Sequence, residues 1–108
     1  MQFTVDAPKA LPRLPAAVEV AAYRVASEAI HNVLKHAQAT RCDVQIAVSE
    51  SRLELSVSDD GQGLPAGFKP GVGLRSMQER AAELGGALQI QPCAGGGTRV
   101  VAQFPIGA

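Results

Sequence analysis

Apolar and polar residues alternate from Arg41 to Ser49, with Cys42, Val44, Ile46 and Val48 set against Arg41, Asp43, Gln45 and Ser49. The same period of two runs from Arg52 to Ser58, where Leu53, Leu55 and Val57 face away from Arg52, Glu54, Ser56 and Ser58. That period belongs to a half-buried strand. The short link Ser49-Glu50-Ser51 predicts that the two strands, the second running Leu53 to Asp59, pair as an antiparallel hairpin. Between about Ala16 and Ala37 the period changes. Val18, Ala22, Val25, Ala26, Ala29 and Val33 share one broad helical face, and Arg24, Glu28, His31 and Lys35 cluster opposite. Asn32 and His36 fall on the border, where a polar side chain reaches a cleft rather than open water. Pro15 suits the first turn of that helix, because its missing N–H costs nothing there.

The remaining elements follow from shorter signals. Phe3-Thr4-Val5 is a strand candidate, and Pro8, Pro12 and Pro15 bracket a loop from Ala7 to Leu14. A second helix is predicted from about Leu74 to Leu84, with Leu74, Met77, Ala81 and Leu84 as its buried stripe and Gly85-Gly86 ending it. Leu88 to Pro92 and Thr98 to Phe104 form a last hairpin around Ala94-Gly95-Gly96-Gly97. Strand, helix, two strands, helix, two strands predicts an α/β fold, a two-layer sandwich of a mixed, mostly antiparallel sheet with helices on one face.

The 108 residues make one domain, and 46% hydrophobic content supplies its core. Net charge is zero without a Lys/Arg run, which argues against a nucleic-acid surface. Cys42 and Cys93 lack metal-ligand spacing and are read as reduced thiols, with a single disulfide as the lesser alternative. With no signal peptide and no membrane-length apolar run, the domain is expected to be cytoplasmic, without membrane contact of its own. A chain that opens directly on a strand is expected to be a piece of something longer.

Four features carry candidate chemistry. Glu28, Asn32, Lys35 and His36 lie on the long helix; an Asn oxygen suits Mg²⁺, which completes its shell with water and phosphates, and Lys35 meets phosphate as a point charge. Asp59-Asp60-Gly61-Gln62-Gly63 follows a strand, and a carboxylate there accepts a ligand hydrogen bond while glycines admit close approach. Gly71-Val72-Gly73 starts a helix, where free N–H groups and the helix dipole attract phosphate. Gly97-Thr98 puts a hydroxyl at a strand start. Each also has an ordinary reading: a solvated helix face, an Asp-Gly turn, a loop glycine pair, a hairpin turn before a β-favouring Thr. No Lys-Ser/Thr follows the glycines, so this is not a Walker loop, and the third glycine of a dinucleotide fingerprint is missing.

In order, these residues resemble the boxes of sensor histidine kinases. Glu28-Ala-Ile-His-Asn32-Val-Leu-Lys35-His36-Ala resembles the N box, Asp59-Asp60-Gly61-Gln62-Gly63-Leu64 the G1 box, and Gly71-Val72-Gly73-Leu74 with Met77, Glu79 and Arg80 the G2 box and its helix. Gly97-Thr98 resembles the last glycine-threonine motif. Lys-His-Ala and the very short loop between G1 and G2 are similar to the nitrate-sensor and DesK-like branch. The resemblance covers nearly the whole chain and implies the Bergerat ATP-binding fold, with ATP and Mg²⁺ as cofactors. It implies that Asp59 accepts from the adenine amino group, supported by Thr98, and that Asn32 holds Mg²⁺. Lys35 and His36 would lie near the phosphates; Gly61, Gly63 and Leu64 would line the purine site. Gly71, Val72, Gly73 and Leu74 would meet the phosphates beside a lid, Leu64 to Pro70, mobile without nucleotide and ordered with it.

The resemblance implies that the acid matching Glu28 activates water in hydrolysing relatives, whereas in a kinase the histidine is the nucleophile and Glu28 would only tune the site. Asp60 stands where many relatives have Asn, its role open. The family's dimerisation and phosphoacceptor helices are missing from this sequence. The expectation is therefore a domain that binds ATP without autophosphorylating, and that passes the γ-phosphoryl group to a histidine on a separate helical domain. A response regulator would follow indirectly, and the parent protein would be placed at the inner membrane or free of it. Two alternatives stay open: a stand-alone anti-sigma-factor serine kinase, and a non-catalytic module of the same fold.

Overall fold

The computed structural model describes residues 1–36, 38–63, 71–93 and 95–107, and of His36 the backbone alone. Its elements are β1 (Gln2–Asp6), α1 (Ala16–His36), β2 (Arg41–Val48), β3 (Arg52–Asp59), α2 (Val72–Glu83), β4 (Ala87–Pro92) and β5 (Thr98–Pro105). The predicted kinds and order of elements are all present. The second helix begins two residues earlier than its apolar stripe indicates, because Val72 joins the first turn while 81% exposed.

The five strands lie in the order β1-β2-β3-β5-β4. β2–β3, β3–β5 and β4–β5 are antiparallel, and β1 joins β2 in parallel at the edge. Both sequence-predicted hairpins form. The pairing between them, β3 with β5, is long-range and brings the Asp59 end of one hairpin beside the Thr98 end of the other.

Register explains the two layers. Cys42 stands opposite Asp59, Val44 opposite Val57, Val57 opposite Val100, Leu55 opposite Ala102 and Leu53 opposite Phe104. Side chains two apart share a face, so these residues form one apolar surface. Val18, Val25, Ala29 and Val33 of α1 and Ala81 of α2 close over it. Ala21 is also buried, an alanine that fills space where the helix comes nearest the sheet. Phe3 and Val5 belong to the same face by register but remain 46% and 69% exposed, since the helices do not reach the edge strand.

The helix ends are set by local chemistry. The Pro15 carbonyl accepts the Glu19 N–H at 3.0 Å, so the proline opens α1 without losing a donor that the helix needs. α2 ends in paired bonds from Gly86 N to the Ala81 carbonyl (2.8 Å) and from Gly85 N to the Ala82 carbonyl (3.0 Å). This reverse turn requires the left-handed conformation that Gly85 adopts at φ +82°.

Candidate functional site

The alternation that builds β3 carries Leu53, Leu55 and Val57 to the helix side, and so it carries Asp59 there too. Asp59 is 8% exposed, one of the few polar residues held at that depth. One of its oxygens accepts the Gly61 N–H at 2.8 Å. The carboxylate thus stands at the strand end, on the helix side of the sheet. Cys42, fully buried, lies across the ladder from Asp59. Burial first, then the negative charges of Asp59 and Asp43, push the Cys42 thiol up, so it is a neutral, inert floor. Both cysteines are free.

The last glycine of the final loop completes this end. Gly97 is buried with φ +93°, and a Cβ built there would fall 1.9 Å from the Asp59 carbonyl oxygen. No side chain fits between these backbones. Gly63, at φ +77°, comes against the same segment, its Cβ position 3.5 Å from the Gly97 oxygen. The G1-like and final glycine motifs thus meet in space, with half-buried Thr98 beginning β5 next to them. In the sequence Gly97 is a turn glycine and half of the last glycine-threonine motif. Its packing role depends on a segment nearly forty residues away, and no local pattern reveals it.

Asp60, whose role the sequence leaves open, faces away from this acceptor. Its carboxylate accepts the N–H groups of Thr40 and Arg41, each at 2.8 Å, and the Thr40 hydroxyl at 2.5 Å. The Asp60 N–H in turn reaches the Arg41 carbonyl at 3.4 Å. Asp60 therefore ties the start of β2 to the end of β3. The Thr40 hydroxyl, then the Arg41 N–H, lower its carboxyl from 3.8 to about 2. A folded-state value below the unfolded one gives stabilisation that is complete above about pH 4 and lost as pH falls towards 2. We expect Asp60→Asn to flatten the fall in melting temperature between pH 4 and 2 relative to wild type. Parallel curves for the two proteins across that interval would contradict the clamp.

The third part lies between the helices. Asn32 is half-buried on α1, and Lys35 is exposed. Glu28 is not on the solvated face that the helical wheel gave it. It is half-buried, and its carboxylate lies against Gly73 in the first turn of α2. The reason is that α2 packs on the flank of α1, which single-helix periodicity does not register. Arg24 and His31 are exposed as expected. Leu74 points inward and is 5% exposed, so it anchors α2, whereas Val72 projects outward. Leu64, the loop Leu64 to Pro70 expected as a lid, and the His36 side chain lie outside the described residues.

Among the described residues no three His, Cys, Asp or Glu side chains gather as a metal cage. The donors on α1, an amide oxygen and a carboxylate one turn apart, fit Mg²⁺ that arrives with phosphate and water ligands. No helix among the described residues is long and apolar enough to cross a membrane.

With the acceptor, the close glycine crossing and the helix pair in place, a family comparison decides the assignment. Residues 17–108 match the model of the histidine kinase-, DNA gyrase B- and HSP90-like ATPases. The chain belongs to this ATPase family. Among curated relatives, it is 42% identical over 87 residues to the signal transduction histidine-protein kinase/phosphatase UhpB of Salmonella typhimurium, covering 80% of this chain and 17% of UhpB. It is 36% identical over 95 residues to the sensor histidine kinase LiaS of Bacillus subtilis, covering 82% of this chain and 25% of LiaS. The chain thus spans a quarter or less of these relatives.

Two solved structures share the ATPase-family fold. The histidine kinase domain of the Erythrobacter litoralis EL346 blue-light activated histidine kinase superposes with TM-score 0.82 at 24% identity, over 97% of this chain and 51% of that one. The ATP binding domain of PrrB from Mycobacterium tuberculosis gives 0.68 at 26% identity, over 98% and 82%. The expected two-layer α/β sandwich is therefore the fold observed.

Proposed function

We propose that this domain binds Mg-ATP and presents its γ-phosphoryl group to a histidine on a separate helical domain, as the catalytic part of a two-component sensor histidine kinase. Within that class, the Lys35-His36-Ala ending and the short link between the first two glycine motifs favour the nitrate-sensor and DesK-like branch. The observation that carries the reading is Asp59: a carboxylate at 8% exposure, oriented by Gly61 and walled by the Gly97 crossing. Such an acceptor pairs with the exocyclic amine of a purine in a largely apolar slot.

The residues divide the work. Asp59 takes the adenine amino group, with Thr98 beside it, and Gly61 and Gly63 let the base lie against backbone. Asn32 would hold Mg²⁺, which, when bound, neutralises phosphate charge. Lys35 would lie towards the phosphates, with the backbone of Gly71, Val72, Gly73 and Leu74 at the start of α2; His36 and Leu64 keep the roles that the resemblance implies for them. In the transfer itself the bond from the γ-phosphorus to its bridging oxygen breaks, a P–N bond forms to the incoming imidazole, and ADP leaves. The domain's contribution is positioning and charge stabilisation rather than covalent chemistry.

Thermal unfolding with and without Mg-ATP tests the reading. A ligand present at 100 times its Kd stabilises a native state by about 2.7 kcal/mol. No upward shift at millimolar Mg-ATP would sink it. Asn32→Ala is expected to keep adenosine affinity and to lose most of the increment that Mg²⁺ adds to ATP binding. Calorimetry with and without the metal checks this, and an unchanged increment would remove Asn32 from the metal site. Label transferred to an added helical domain should survive base and not acid, as a phosphohistidine does; the reverse would indicate a serine kinase.

A further inference from the structure

We propose that residue 73 is glycine in order to seat the Glu28 carboxylate at the N-terminus of α2, which makes Gly73 a positioning residue acting through Glu28, a proposal that rests on the ATP-binding reading above. The usual reason for a glycine does not apply. Positive φ among the described glycines occurs at Gly63, Gly85, Gly95, Gly96 and Gly97, and Gly73 is not one of them. Space is the reason instead. A Cβ at position 73 would fall 2.1 Å from Glu28 Oε1 and 2.4 Å from its Cδ.

What is struck there differs from the other tight glycines. At Gly86 and Gly97 the added carbon meets backbone carbonyls, of Gln103 and Asp59, which cannot move without moving the sheet. At Gly73 it meets the far end of a flexible side chain. The fold can therefore accept a methyl group at 73, and what it gives up is the place of the carboxylate. That place has electrostatic meaning. α2 has no acidic residue in its first turn, and Gly71 makes no side-chain cap bond, so Glu28 supplies from α1 the negative charge that this helix start lacks. Glu28 and Asn32 are four apart on α1 and share a face. The seat thus fixes a carboxylate beside the amide assigned to the metal, at the end where the triphosphate lies. A bare triphosphate is repelled by that charge, and shifting or neutralising it relaxes the repulsion.

Affinities of this domain for ATP and for adenosine, measured by calorimetry in EDTA, test the idea in wild type, Glu28→Gln, Gly73→Ala and the double variant. Glu28→Gln is expected to raise the preference for ATP over adenosine by about three- to tenfold. Gly73→Ala should raise it in the same direction by a smaller factor, and should add nothing in the Glu28→Gln background, because a neutral amide displaced from the seat carries no charge with it. A glycine with a merely structural role would weaken both ligands together and leave the ratio alone. The proposal is overturned if Gly73→Ala leaves the ratio at its wild-type value, or shifts it equally in both backgrounds. If wild type binds neither ligand, the ATP-binding reading fails by itself. The same cycle read in melting temperatures then decides the seat: a Gly73→Ala effect that depends on the charge at 28 supports it, and one independent of that charge removes it.

Discussion

Asp59→Asn is expected to weaken ATP and adenosine binding by about ten- to a hundredfold while leaving the domain folded. The substitution keeps the shape of the side chain and an oxygen for the Gly61 N–H, so the turn after β3 survives. What it removes is the charge on a nearly buried acceptor, and a hydrogen bond to a charged group in such a place contributes about 1.5–3 kcal/mol. The amide also offers an N–H₂ where the purine presents its own donor, so part of the contact turns repulsive. The loss should be the same for ATP and adenosine, because the phosphates lie elsewhere. Calorimetry with both ligands reads it, and an affinity within twofold of wild type would mean that Asp59 does not grip the base.

Gly97→Ala should be the most damaging single methyl group among the described positions near the site. The backbone there already sits at φ +93°, which an L side chain rarely adopts. In addition, the new carbon would lie 1.9 Å from the Asp59 oxygen, 2.7 Å from its carbonyl carbon and 3.0 Å from the Asp60 Cα. Backbone strain of this kind costs about 1–3 kcal/mol, and the collision adds to it, so a loss of about 3 kcal/mol or more is expected in urea unfolding. Gly95→Ala serves as the control. Gly95 has a similar φ of +84°, but an added Cβ there meets nothing within 4 Å. The difference between the two variants isolates the collision from the dihedral strain. Equal losses would show that the crossing of the two backbones is looser than described.

The elements were legible because each buries one face. Alternation in Cys42 to Val48 and Leu53 to Val57, and the 3.6-residue stripe from Val18 to Val33, report burial directly, and the structure places these residues in the core. Asp59 was legible as a site candidate because it continues the buried parity of β3 one step past the last apolar residue. Relations between segments distant in sequence were not legible. Glu28 shares a helical wheel with Arg24, His31 and Lys35, and only the docking of α2 turns its side of α1 into an interior. Asp60 finds its partners at Thr40 and Arg41, about twenty residues away, and a pattern within one strand holds no trace of them. Gly97 resembles any loop glycine until β5 is laid beside β3. Nor does alternation say that β1 joins the sheet in parallel at its edge, since the period is the same in either direction.

The Asp60 clamp has a mechanical corollary. Thr40 and Arg41 open the strand pair bearing Asp59, and the three hydrogen bonds they donate to one carboxylate lock the start of β2 to the far end of β3. The start of β2 cannot peel from the end of β3 without giving up all three bonds, so the sheet end that bears Asp59 is guarded against fraying. Acid that protonates Asp60 would loosen this end first, ahead of the rest of the sheet.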